Sequence, residues 1–272
     1  MTFNIRGSYH GDGENSWERR AGLNLRVIKR YFPDVICFQE LQAGNRETYD
    51  KELPGYEYVT GPEYENRKPH AYNAIYWNPR RMKLLETGGF WLSASPEKFS
   101  ASWNTAHVRS ANWARFRFVP SGLGFVLLNT HLDHKSPQAR QQAANLIVRR
   151  LGALDDGRGP VFVTGDFNTD PGSPVHDIFG EAGFEDAHLL ANNPPTRTFH
   201  KFRGEDFIPR KPESERRIDW VLLRDAPTGD GLRASHRVRC QVIRDAEPPI
   251  YPGDHYPVIV DLSAGSTGAK AI

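Results

Sequence analysis

The sequence predicts an α/β (α+β) protein in which mixed β-sheets pack together and helices cover their outer faces. Short apolar runs rich in β-branched and aromatic residues recur along the chain, as in "VICFQEL" and "VFVTGD". Some runs are joined by tight turns as hairpins, and others are separated by helical patterns. Because both kinds of connection occur, we expect parallel and antiparallel neighbours within the same sheets. The 272 residues suffice for one large domain or two small ones.

The first elements alternate between strand and helix. Residues 1–6 have a strand pattern, and "NSWERRAGLNLRVIKRYFPD" has apolar residues at helical spacing, with Ser16 as the candidate N-cap and Pro33 after the end. The continuous apolar run "DVICFQE" is typical of a strand that is covered on both faces. The next expected elements are a helix and two strands, at residues 45–53, 56–60 and 73–77.

The second half of the chain begins with a predicted hairpin, because "WARFRFV" and "FVLLNTH" flank the turn "PSGLG". An amphipathic helix is expected over Gln138 to Leu154. Further strands are predicted at "PVFVTGD", "RRIDWVLL" and "HYPVIVDL". Residues 263–272 are small and polar, and we expect them to form a disordered tail.

The composition narrows the class of protein. A net charge of +2 and a pI near 8.5 are far from the bias of a protein that coats nucleic acid through its overall field. No stretch approaches the roughly 20 apolar residues of a membrane span, and the start lacks the apolar core of a signal peptide. We therefore expect a cytoplasmic protein without a membrane partner or an obligate protein partner, unless a leader has been removed. Cys37 and Cys240 lack metal-site spacing and are expected to be buried thiols.

Polar residues stand at the ends of the predicted strands. Four apolar runs end in this way, at Asn4, Glu40, His131 and Asp166, and further runs lie beside Asp219, Asp254 and His255. In α/β proteins ligands gather at strand ends, where a rigid sheet directs side chains into a shared cleft. Taken singly, each residue has an ordinary explanation as a turn former, a solvated strand end or a half-buried histidine. The recurrence therefore carries the prediction, together with "GDFN", since a turn does not require the amide of Asn168.

This set of residues suits the hydrolysis of phosphate esters. The reaction needs a nucleophile made from water and stabilisation of the charge on the phosphoryl oxygens, and a hard cation with oxygen ligands supplies both. Mg²⁺ prefers few carboxylates and retains bound waters. Glu40 is therefore the predicted direct ligand of the cation, with Asn4 beside it.

The remaining polar residues have candidate catalytic roles. A carboxylate that is hydrogen-bonded to a histidine holds its tautomer and stabilises its charged form, so Asp254 or Asp219 is expected to orient His255. Asp166 is the candidate for aligning and deprotonating the attacking water. Two further donors suit the negative charge that develops on a phosphoryl oxygen, Asn168 and His131.

The ordered motifs "TFNIRG", "VICFQEL", "NTHLDH", "TGDFNTDPGSP", "RRIDWVLL" and "GDHYPV" resemble those of the endonuclease/exonuclease/phosphatase superfamily. The resemblance covers nearly the whole chain and implies a single domain of residues 1–262. It also implies a four-layer sandwich, in which two mixed β-sheets pack face to face and are flanked by helices. The implied site is a Mg²⁺-dependent phosphoesterase centre at one rim, where Mn²⁺ can substitute. The sequences "GDFNTDPGSP" and "RIDWVLL" are similar to the corresponding motifs of deadenylase-like bacterial members.

The resemblance implies a role for each strand-end residue. The implied metal-binding residues are Glu40, Asn4 and Asp254. Asp166 looks like the residue that activates the water, and the implied phosphate contacts are His131, Asn168 and His255. Asp219 and Asp254 resemble the partner acids, so we treat Asp166, Asp254 and His255 as a coupled unit. Arg6 stands where several nucleases of the superfamily carry a second metal-associated acid, which weakens the case for a two-metal site.

Four further residues are candidates for binding the substrate: Arg109, Asn112, Trp113 and Asp133. They lie just before the predicted hairpin, at its start, or beside His131. A guanidinium such as that of Arg109 can clamp an anion, and the ring of Trp113 can stack on a base or a sugar. The alternative is a solvated arginine and a core tryptophan. The charged segment at residues 200–217 is expected to be either a flap over the site or a solvated loop.

The leading functional hypothesis is a Mg²⁺-dependent hydrolase of phosphate esters, with diesters as the preferred class and a nucleic acid or a small molecule as the substrate. One alternative is a phosphomonoesterase for a sugar or polyol phosphate. Another is a binding module that uses the same fold without catalysis. The chain has no sustained Lys/Arg stripe, which weakens the nucleic-acid interpretation. Every expected polar position is filled, so the non-catalytic interpretation ranks last.

Overall fold

The apolar runs form two six-stranded β-sheets in the computed structural model, which describes residues 1–62, 71–210, 216–225 and 236–264. In chain order the strands are β1 (Thr2–Asn4), β2 (Val35–Leu41), β3 (Glu57–Thr60), β4 (Tyr72–Trp77), β5 (Met82–Trp91), β6 (Ser110–Phe118), β7 (Gly124–His131), β8 (Val161–Asp166), β9 (Glu185–Asp186), β10 (Asp219–Arg224), β11 (His236–Val242) and β12 (Val258–Ala264).

Both sheets are mixed, as the sequence predicts. The first sheet has the order β11-β12-β1-β2-β4-β3, and the second has the order β5-β6-β7-β8-β10-β9. β1 runs parallel to β2, and β7 runs parallel to β8. The other neighbours are antiparallel. The parallel pair of each sheet is central, so its carboxyl ends are flanked by other strands on both sides.

Helices cover the outer face of each sheet. In the described residues they are α1 (Trp17–Tyr31), α2 (Ala43–Glu52), α3 (Pro137–Leu154), α4 (Pro174–Glu181) and α5 (Ala187–Leu190), with 3₁₀ turns at Gly13–Asn15 and Gly204–Asp206. Ile28 of α1 and Tyr49 of α2 pack on Phe38 of the first sheet. Ile147 of α3 belongs to the core that contains Trp220 of the second sheet. Helices α1–α4 therefore form the two outer layers, whereas Ala187 of α5 packs in a core with Leu223 of the second sheet and Cys240 of the first.

A third apolar core lies between the sheets, and its buried residues are Cys37, Ile75, Trp77, Met82, Ala114, Phe116 and Leu127. Burial of such side chains from both sheets holds the sheets face to face. The molecule is thus a four-layer α/β sandwich, which confirms the predicted fold class. Both cysteines, Cys37 and Cys240, are free and buried, as predicted. Burial raises the pKa of the Cys37 thiol to about 12, so this thiol is unreactive at neutral pH.

Most of the predicted elements are present, with shifted ends. The sequence analysis did not predict β9, β11 or β5, of which β5 is the longest. Its middle carries exposed and charged residues and the pair Gly88–Gly89, which mask a strand pattern. A Cβ at Gly88 would lie 2.9 Å from the ring of Trp113, so the glycine makes room for this tryptophan. Ser16 occupies the N-cap position of α1 as predicted, but its hydroxyl makes no capping hydrogen bond.

The predicted boundaries of the domain are only partly covered by the structure. β12 continues to Ala264, two residues past the expected end of the domain at residue 262. Residues 265–272 of the expected tail lie outside the described residues, and so do residues 211–215 of the charged segment at 200–217. Among the helices of the described ranges, none is both long and apolar enough to cross a membrane.

Close packing of β7 against β8 requires a glycine at the end of β8. Gly165 pairs with Thr130 and has a φ of 145°, and a Cβ there would lie 1.9 Å from the Thr130 carbonyl oxygen. No side chain can be accommodated without moving one of the two strands.

We expect Gly165→Ala to lower the free energy of unfolding by about 1–3 kcal/mol, because overpacking forces the strands apart. Gly152→Ala in α3 is the matched control, since a Cβ there meets no atom within 4 Å. It should raise the free energy of unfolding by roughly 0.5–1 kcal/mol, because alanine favours helices. Urea unfolding monitored by tryptophan fluorescence measures both. Equal stabilities of the two variants would contradict this explanation of Gly165.

Candidate active site

Strand ends from both sheets meet in one cleft. β1 and β2 of the first sheet end at or near Asn4 and Glu40, and β7 and β8 of the second sheet end at His131 and Asp166. His131 pairs with Asp166 across the β7–β8 ladder, and Asp166 pairs with Asp219 at the start of β10. Residues that are paired in this way lie side by side on the same face of a sheet. The loop before β12 adds Asp254 and His255, both of which line the cleft.

Asp166 is the residue on which these side chains converge. Its Oδ2 accepts a hydrogen bond from Asn4 Nδ2 at 2.9 Å and lies 3.3 Å from His131 Nε2 and 3.8 Å from His255 Nε2. Its Oδ1 accepts from the backbone N–H of Asn168 at 2.9 Å. Only 1% of Asp166 is exposed. The carboxylate therefore connects the first sheet, through Asn4, with the second.

The surroundings of Asp166 hold its pKa near neutrality. Burial raises the pKa of Asp166 to about 7, and the charge of Asp219 acts in the same direction. The charge of His255 and the hydrogen bonds from Asn4 and Asn168 oppose this rise. A carboxylate with such a pKa can accept and release a proton at neutral pH.

His255 is held as a cation between two carboxylates. Its Nδ1 donates to Asp219 Oδ2 at 2.8 Å. Burial alone would lower the pKa of His255, but the charges of Asp219 and Asp166 and the hydrogen bond to Asp219 raise it to about 10. The edge of the Phe199 ring packs on the imidazole, with the ring centroids 5.0 Å apart. Of the two acids that the sequence offered as partners of His255, it is Asp219 that makes the hydrogen bond.

His131 is held as a neutral ring. Burial holds the pKa of His131 well below its usual range, and the charge of Arg109 lowers it further. Arg109 Nη1 lies 3.1 Å from His131 Nδ1, and because a guanidinium can only donate, Nδ1 is the acceptor. The proton of the neutral ring is then on Nε2, which faces Asp166. Arg109 thereby sets the tautomer of His131.

Glu40 has an ionised carboxylate and an unusual, left-handed backbone conformation. Burial opposes its ionisation, but the contact with His10 and the hydrogen bond from Asn4 hold the pKa of Glu40 well below its usual range. His10 Nε2 lies 3.5 Å from Glu40 Oε2, and Asn4 Nδ2 lies 3.1 Å from Oε1. The φ of Glu40 is 62°, in the left-handed region. His10 was not predicted, since it lies in the loop "SYHGDG" and not at a strand end.

The donor set fits a hard divalent cation. Glu40 and Asp254 both line the cleft, and Asp254 Oδ1 is buried without a hydrogen-bond partner. Burial raises the pKa of Asp254, and the nearby charge of Glu40 adds to this rise. Two neighbouring carboxylates with an unpartnered buried oxygen are the arrangement that a cation stabilises. Mg²⁺ binds oxygen ligands of this kind.

Asn4 lies beside Glu40, where the sequence analysis placed it. Its Oδ1 accepts from the Arg6 backbone N–H at 3.0 Å, so it presents Nδ2 to Glu40 and Asp166. An amide nitrogen does not ligate Mg²⁺. In this structure Asn4 therefore orients the two carboxylates by donating to both, and its role in metal binding stays a prediction.

A second acidic group has the dimensions of a metal site. One ligand atom each of Asp166, Asp219 and His255 lies within 4.8 Å of the others. However, His255 Nδ1 and Asp219 Oδ2 are already bonded to each other at 2.8 Å. The imidazole is protonated as well, and a protonated imidazole cannot bind a metal through that nitrogen. We therefore interpret this group as a charge network.

Two of the remaining predicted residues line the cleft. Asn168 is half-buried with a φ of 52°, and its Nδ2 donates to the Leu132 carbonyl at 3.1 Å. Arg109 also lines the cleft. Its Nε is buried without a hydrogen-bond partner, while Nη1 contacts His131. Both residues present N–H groups near Asp166, as a site for an anion requires.

The other substrate-binding candidates do not reach the cleft, which corrects three predictions. Neighbouring residues of a strand face opposite sides, so Asn112 is fully buried at the inter-sheet side of β6, while Trp113 packs toward the helices. Asp133 is buried as well. Its carboxylate accepts from the backbone N–H groups of Ala106, Lys135 and Ser136 at 2.7–2.9 Å. Asp133 therefore shapes the loop that precedes α3 and has no free oxygen for a substrate.

The cleft has a volume of about 900 Å³. Besides the acidic centre, cations and aromatic rings line it: Arg6, His107, Arg109, His134, Phe199, Lys201, Phe202 and Arg216. The guanidinium of Arg216 lies over the Phe199 ring, 4.9 Å from its centroid. Most of these residues were missed because they belong to loops, where no periodic pattern marks them. Another cavity, of about 720 Å³, opens between the sheets beside Phe125 and Phe162 and contains none of the predicted site residues.

The arrangement can be compared with known proteins. A sequence model of the Endonuclease/Exonuclease/phosphatase family matches residues 1–255. The chain belongs to the endonuclease/exonuclease/phosphatase family. Members of this family are phosphoester hydrolases that depend on a metal. The ordered motifs of the sequence predicted this family.

Two solved structures from Bacteroides resemble this family member over almost the whole chain. A mannosyl-6-phosphatase of Bacteroides thetaiotaomicron is 26% identical, with a TM-score of 0.83, and the match covers 96% of this chain and 98% of that one. An endonuclease/exonuclease/phosphatase of Bacteroides vulgatus is 27% identical, with a TM-score of 0.82, over 97% of each chain. These similarities confirm the four-layer fold.

A curated relative is similar over a shorter region. Nocturnin of Rattus norvegicus is 25% identical over 67% of this chain, and the match covers 46% of nocturnin. An uncharacterized protein of Acanthamoeba polyphaga mimivirus is 26% identical over 57% of this chain, and the match covers 60% of that protein. The chain therefore spans about half the length of the curated relatives that it matches.

The corrected role of Asp133 can be tested through stability. Burial opposes its ionisation, but the three backbone N–H donors lower the pKa of Asp133 to about 2, from an ordinary value of 3.8. Asp133→Ala should lower the free energy of unfolding by about 2–3 kcal/mol at pH 7, because these donors lose a charged acceptor.

The pH dependence of this loss follows from the lowered pKa. The carboxylate stabilises the folded state above pH 3.8, and this contribution disappears as the pH falls toward about 2. The difference between the wild type and Asp133→Ala should therefore be constant above about pH 5 and should narrow below it. Urea unfolding at a series of pH values measures this. Asp156→Ala, which removes an exposed ion pair with Arg115, is the control and should cost less than about 1 kcal/mol. A pH-independent loss would contradict the role of the Asp133 charge.

Proposed function

We propose that this family member is a Mg²⁺-dependent phosphomonoesterase for a small phosphorylated sugar or polyol. The observation that carries the proposal is the volume of the cleft over the acidic centre, about 900 Å³. This volume lies within the range of small-molecule sites, roughly 300–1,000 Å³. The similarity to a mannosyl-6-phosphatase over 96% of the chain supports it.

A diester remains the second candidate, and the sequence analysis had ranked it first. A polymeric nucleic acid requires a long basic groove, whereas the net charge here is only +2. The guanidinium of Arg216 lies over the Phe199 ring, and such a surface can stack on a nucleobase. This contact favours a small diester that carries a nucleobase. Because the volume of the cleft suits a small substrate, we rank the monoester above the diester.

Glu40 and Asp254 are the residues that we propose to hold the cation, with Mn²⁺ as a substitute for Mg²⁺. The unpartnered Asp254 Oδ1 and the ionised Glu40 supply hard oxygen ligands. When bound, the cation neutralises charge on the phosphoryl oxygens of the ester.

We propose Asp166 as the general base. Its buried carboxylate lines the cleft, and its pKa of about 7 lets it accept the proton of the attacking water at neutral pH. The water oxygen forms the new bond to phosphorus, and the bond to the alcohol oxygen of the sugar breaks. Asn4 holds the carboxylate in place by donating to Oδ2, and His131 Nε2 lies 3.3 Å from the same oxygen.

His255, Arg109 and Asn168 are the proposed partners of the phosphoryl oxygens. The cationic His255 ring is fixed through Nδ1 by Asp219, so its Nε2 is the nitrogen available for the substrate. Arg109, which precedes β6, and Asn168, which follows β8, add further N–H donors to the cleft. Donors that are fixed before the reaction stabilise developing negative charge without reorganisation.

The substrate class can be tested with a panel of phosphate esters. We expect kcat/KM for sugar 6-phosphates or polyol phosphates to exceed that for bis-p-nitrophenyl phosphate, dinucleotides and oligonucleotides by about tenfold or more. EDTA should abolish the activity, and Mg²⁺ or Mn²⁺ should restore it. Preference for oligonucleotides, with a steep loss of activity on adding salt, would contradict the monoester assignment. No hydrolysis of any ester would support the binding-module alternative.

The role of Asp219 gives a second test. Asp219→Asn should lower kcat by about 100-fold or more, because His255 loses the carboxylate that orients it and stabilises its charge. The Mg²⁺ concentration for half-maximal activity should stay within about twofold, since Asp219 is not a proposed ligand. His176→Gln is the matched control, because His176 also contacts a buried carboxylate, Asp186, at 3.3 Å, but away from the cleft. Near-normal kcat for Asp219→Asn would contradict the role of the pair.

A further inference from the structure

Three hydrogen-bonded amide side chains lie buried between the two sheets beneath the cleft. They belong to Gln39 in β2, Asn73 in β4 and Asn129 in β7, and none is more than 4% exposed. Their neighbours in the space between the sheets are apolar. A buried amide in such surroundings is unfavourable unless its polar atoms are hydrogen-bonded. The contacts of these amides therefore indicate why they are there.

Asn129 makes the most extensive contacts of the three and bridges the sheets. Its Nδ2 donates to the carbonyl oxygens of Phe38 at 2.9 Å and of Ala74 at 3.0 Å, both in the first sheet. Its Oδ1 accepts from Gln39 Nε2 at 2.7 Å. Every hydrogen-bonding atom of this amide thus has a partner on the opposite sheet.

The two carbonyl groups that Asn129 binds mark the start of a β-bulge. Phe38 pairs with Ala74 in the β2–β4 ladder, but the next pair is Leu41 with Tyr72. Two residues of β2, Gln39 and Glu40, therefore oppose one residue of β4. Asn129 donates to both members of the last regular pair, at the point where the ladder is interrupted.

The bulge determines where Glu40 points. Ile36 and Phe38 belong to the core between the first sheet and its helices, and so does Leu41. In an uninterrupted strand the alternation would place residue 40 in that apolar core. The extra residue, with the left-handed φ of 62° at Glu40, turns this carboxylate into the cleft instead. Such a backbone is unfavourable for a residue with a Cβ and persists only where the surroundings enforce it.

We propose that Asn129 is a positioning residue for Glu40: it stabilises the bulge in β2 and so holds the carboxylate in the cleft. Asn129 does not line the cleft, and it acts through the backbone of Phe38 and Ala74. The inference rests on the proposed function only in that Glu40 is taken as the ligand of the cation.

A leucine at position 129 tests the inference, because it has a similar size and donates no hydrogen bond. We expect Asn129→Leu to weaken Mn²⁺ binding to the substrate-free protein by about 10–100-fold, the range found when support of a metal ligand is removed. Isothermal titration calorimetry measures the affinity, and circular dichroism verifies the fold. If Asn129→Leu does not fold, Asn129→Ser takes its place with the same expectation, because serine cannot reach both carbonyls.

Asn112 provides a matched control. It is the cross-strand partner of Asn129 in the β6–β7 ladder and is also fully buried, but neither of its polar side-chain atoms has a partner. Asn112→Leu should therefore leave the Mn²⁺ affinity within about twofold. Leu151→Ala, in the core on the α3 side, controls for a general loss of stability. It should lower the melting temperature and leave the Mn²⁺ affinity unchanged.

The outcomes separate this inference from the proposed function. An unchanged Mn²⁺ affinity in folded Asn129→Leu would overturn the inference, and so would an equal loss in Asn112→Leu or Leu151→Ala. Glu40→Gln is measured in parallel. If it weakens Mn²⁺ binding while Asn129→Leu does not, only the positioning role fails. If Glu40→Gln has no effect, the proposed metal site fails, and the positioning role fails with it.

Discussion

One buried carboxylate oxygen, Oδ2 of Asp166, joins the two sheets at the cleft. Asp166 belongs to the second sheet and accepts a hydrogen bond from Asn4, which lies 162 residues earlier at the end of β1 in the first sheet. A buried carboxylate is costly unless its oxygens are satisfied. The sheets must therefore pack in the correct register for this oxygen to find its partners. Within the first sheet, the pairing of β1 with β2 brings Glu40 beside Asn4.

The charges around Asp166 explain why its two histidines differ. The interacting groups run in the order Asp219, His255, Asp166, His131 and Arg109, with contacts of 2.8, 3.8, 3.3 and 3.1 Å. His255 lies between two carboxylates, which raise its pKa. Burial and the Arg109 guanidinium lower the pKa of His131. Removing any one member leaves a buried neighbour without its partner, so the proposed roles depend on the complete row.

The parts of the site that lie on strands could be predicted from the sequence, and the parts on loops could not. An apolar run that ends in Glu40 or Asp166 marks both the strand and its exit, because side chains alternate and the core excludes charge. No such rule identifies loop residues such as His10, Phe199 and Lys201, which also line the cleft. Alternation assigns a residue to a face of its strand and does not locate the cleft. Asn112 and Trp113 lie on opposite faces of β6, and neither lines the cleft as predicted. No pattern in the sequence predicts the β-bulge at Glu40, because the contacts proposed to stabilise it come from Asn129, which is distant in the sequence.

The most direct test of this site is the position of a bound cation in a crystal of the protein soaked in Mn²⁺. Anomalous scattering from manganese locates the ion independently of any assumed coordination. We expect a peak in contact with a carboxylate oxygen of Glu40 and with Asp254 Oδ1, while Asp219 and His255 remain bonded to each other. A peak among Asp166, Asp219 and His255, with none at Glu40, would contradict the assignment of the metal ligands and of the general base.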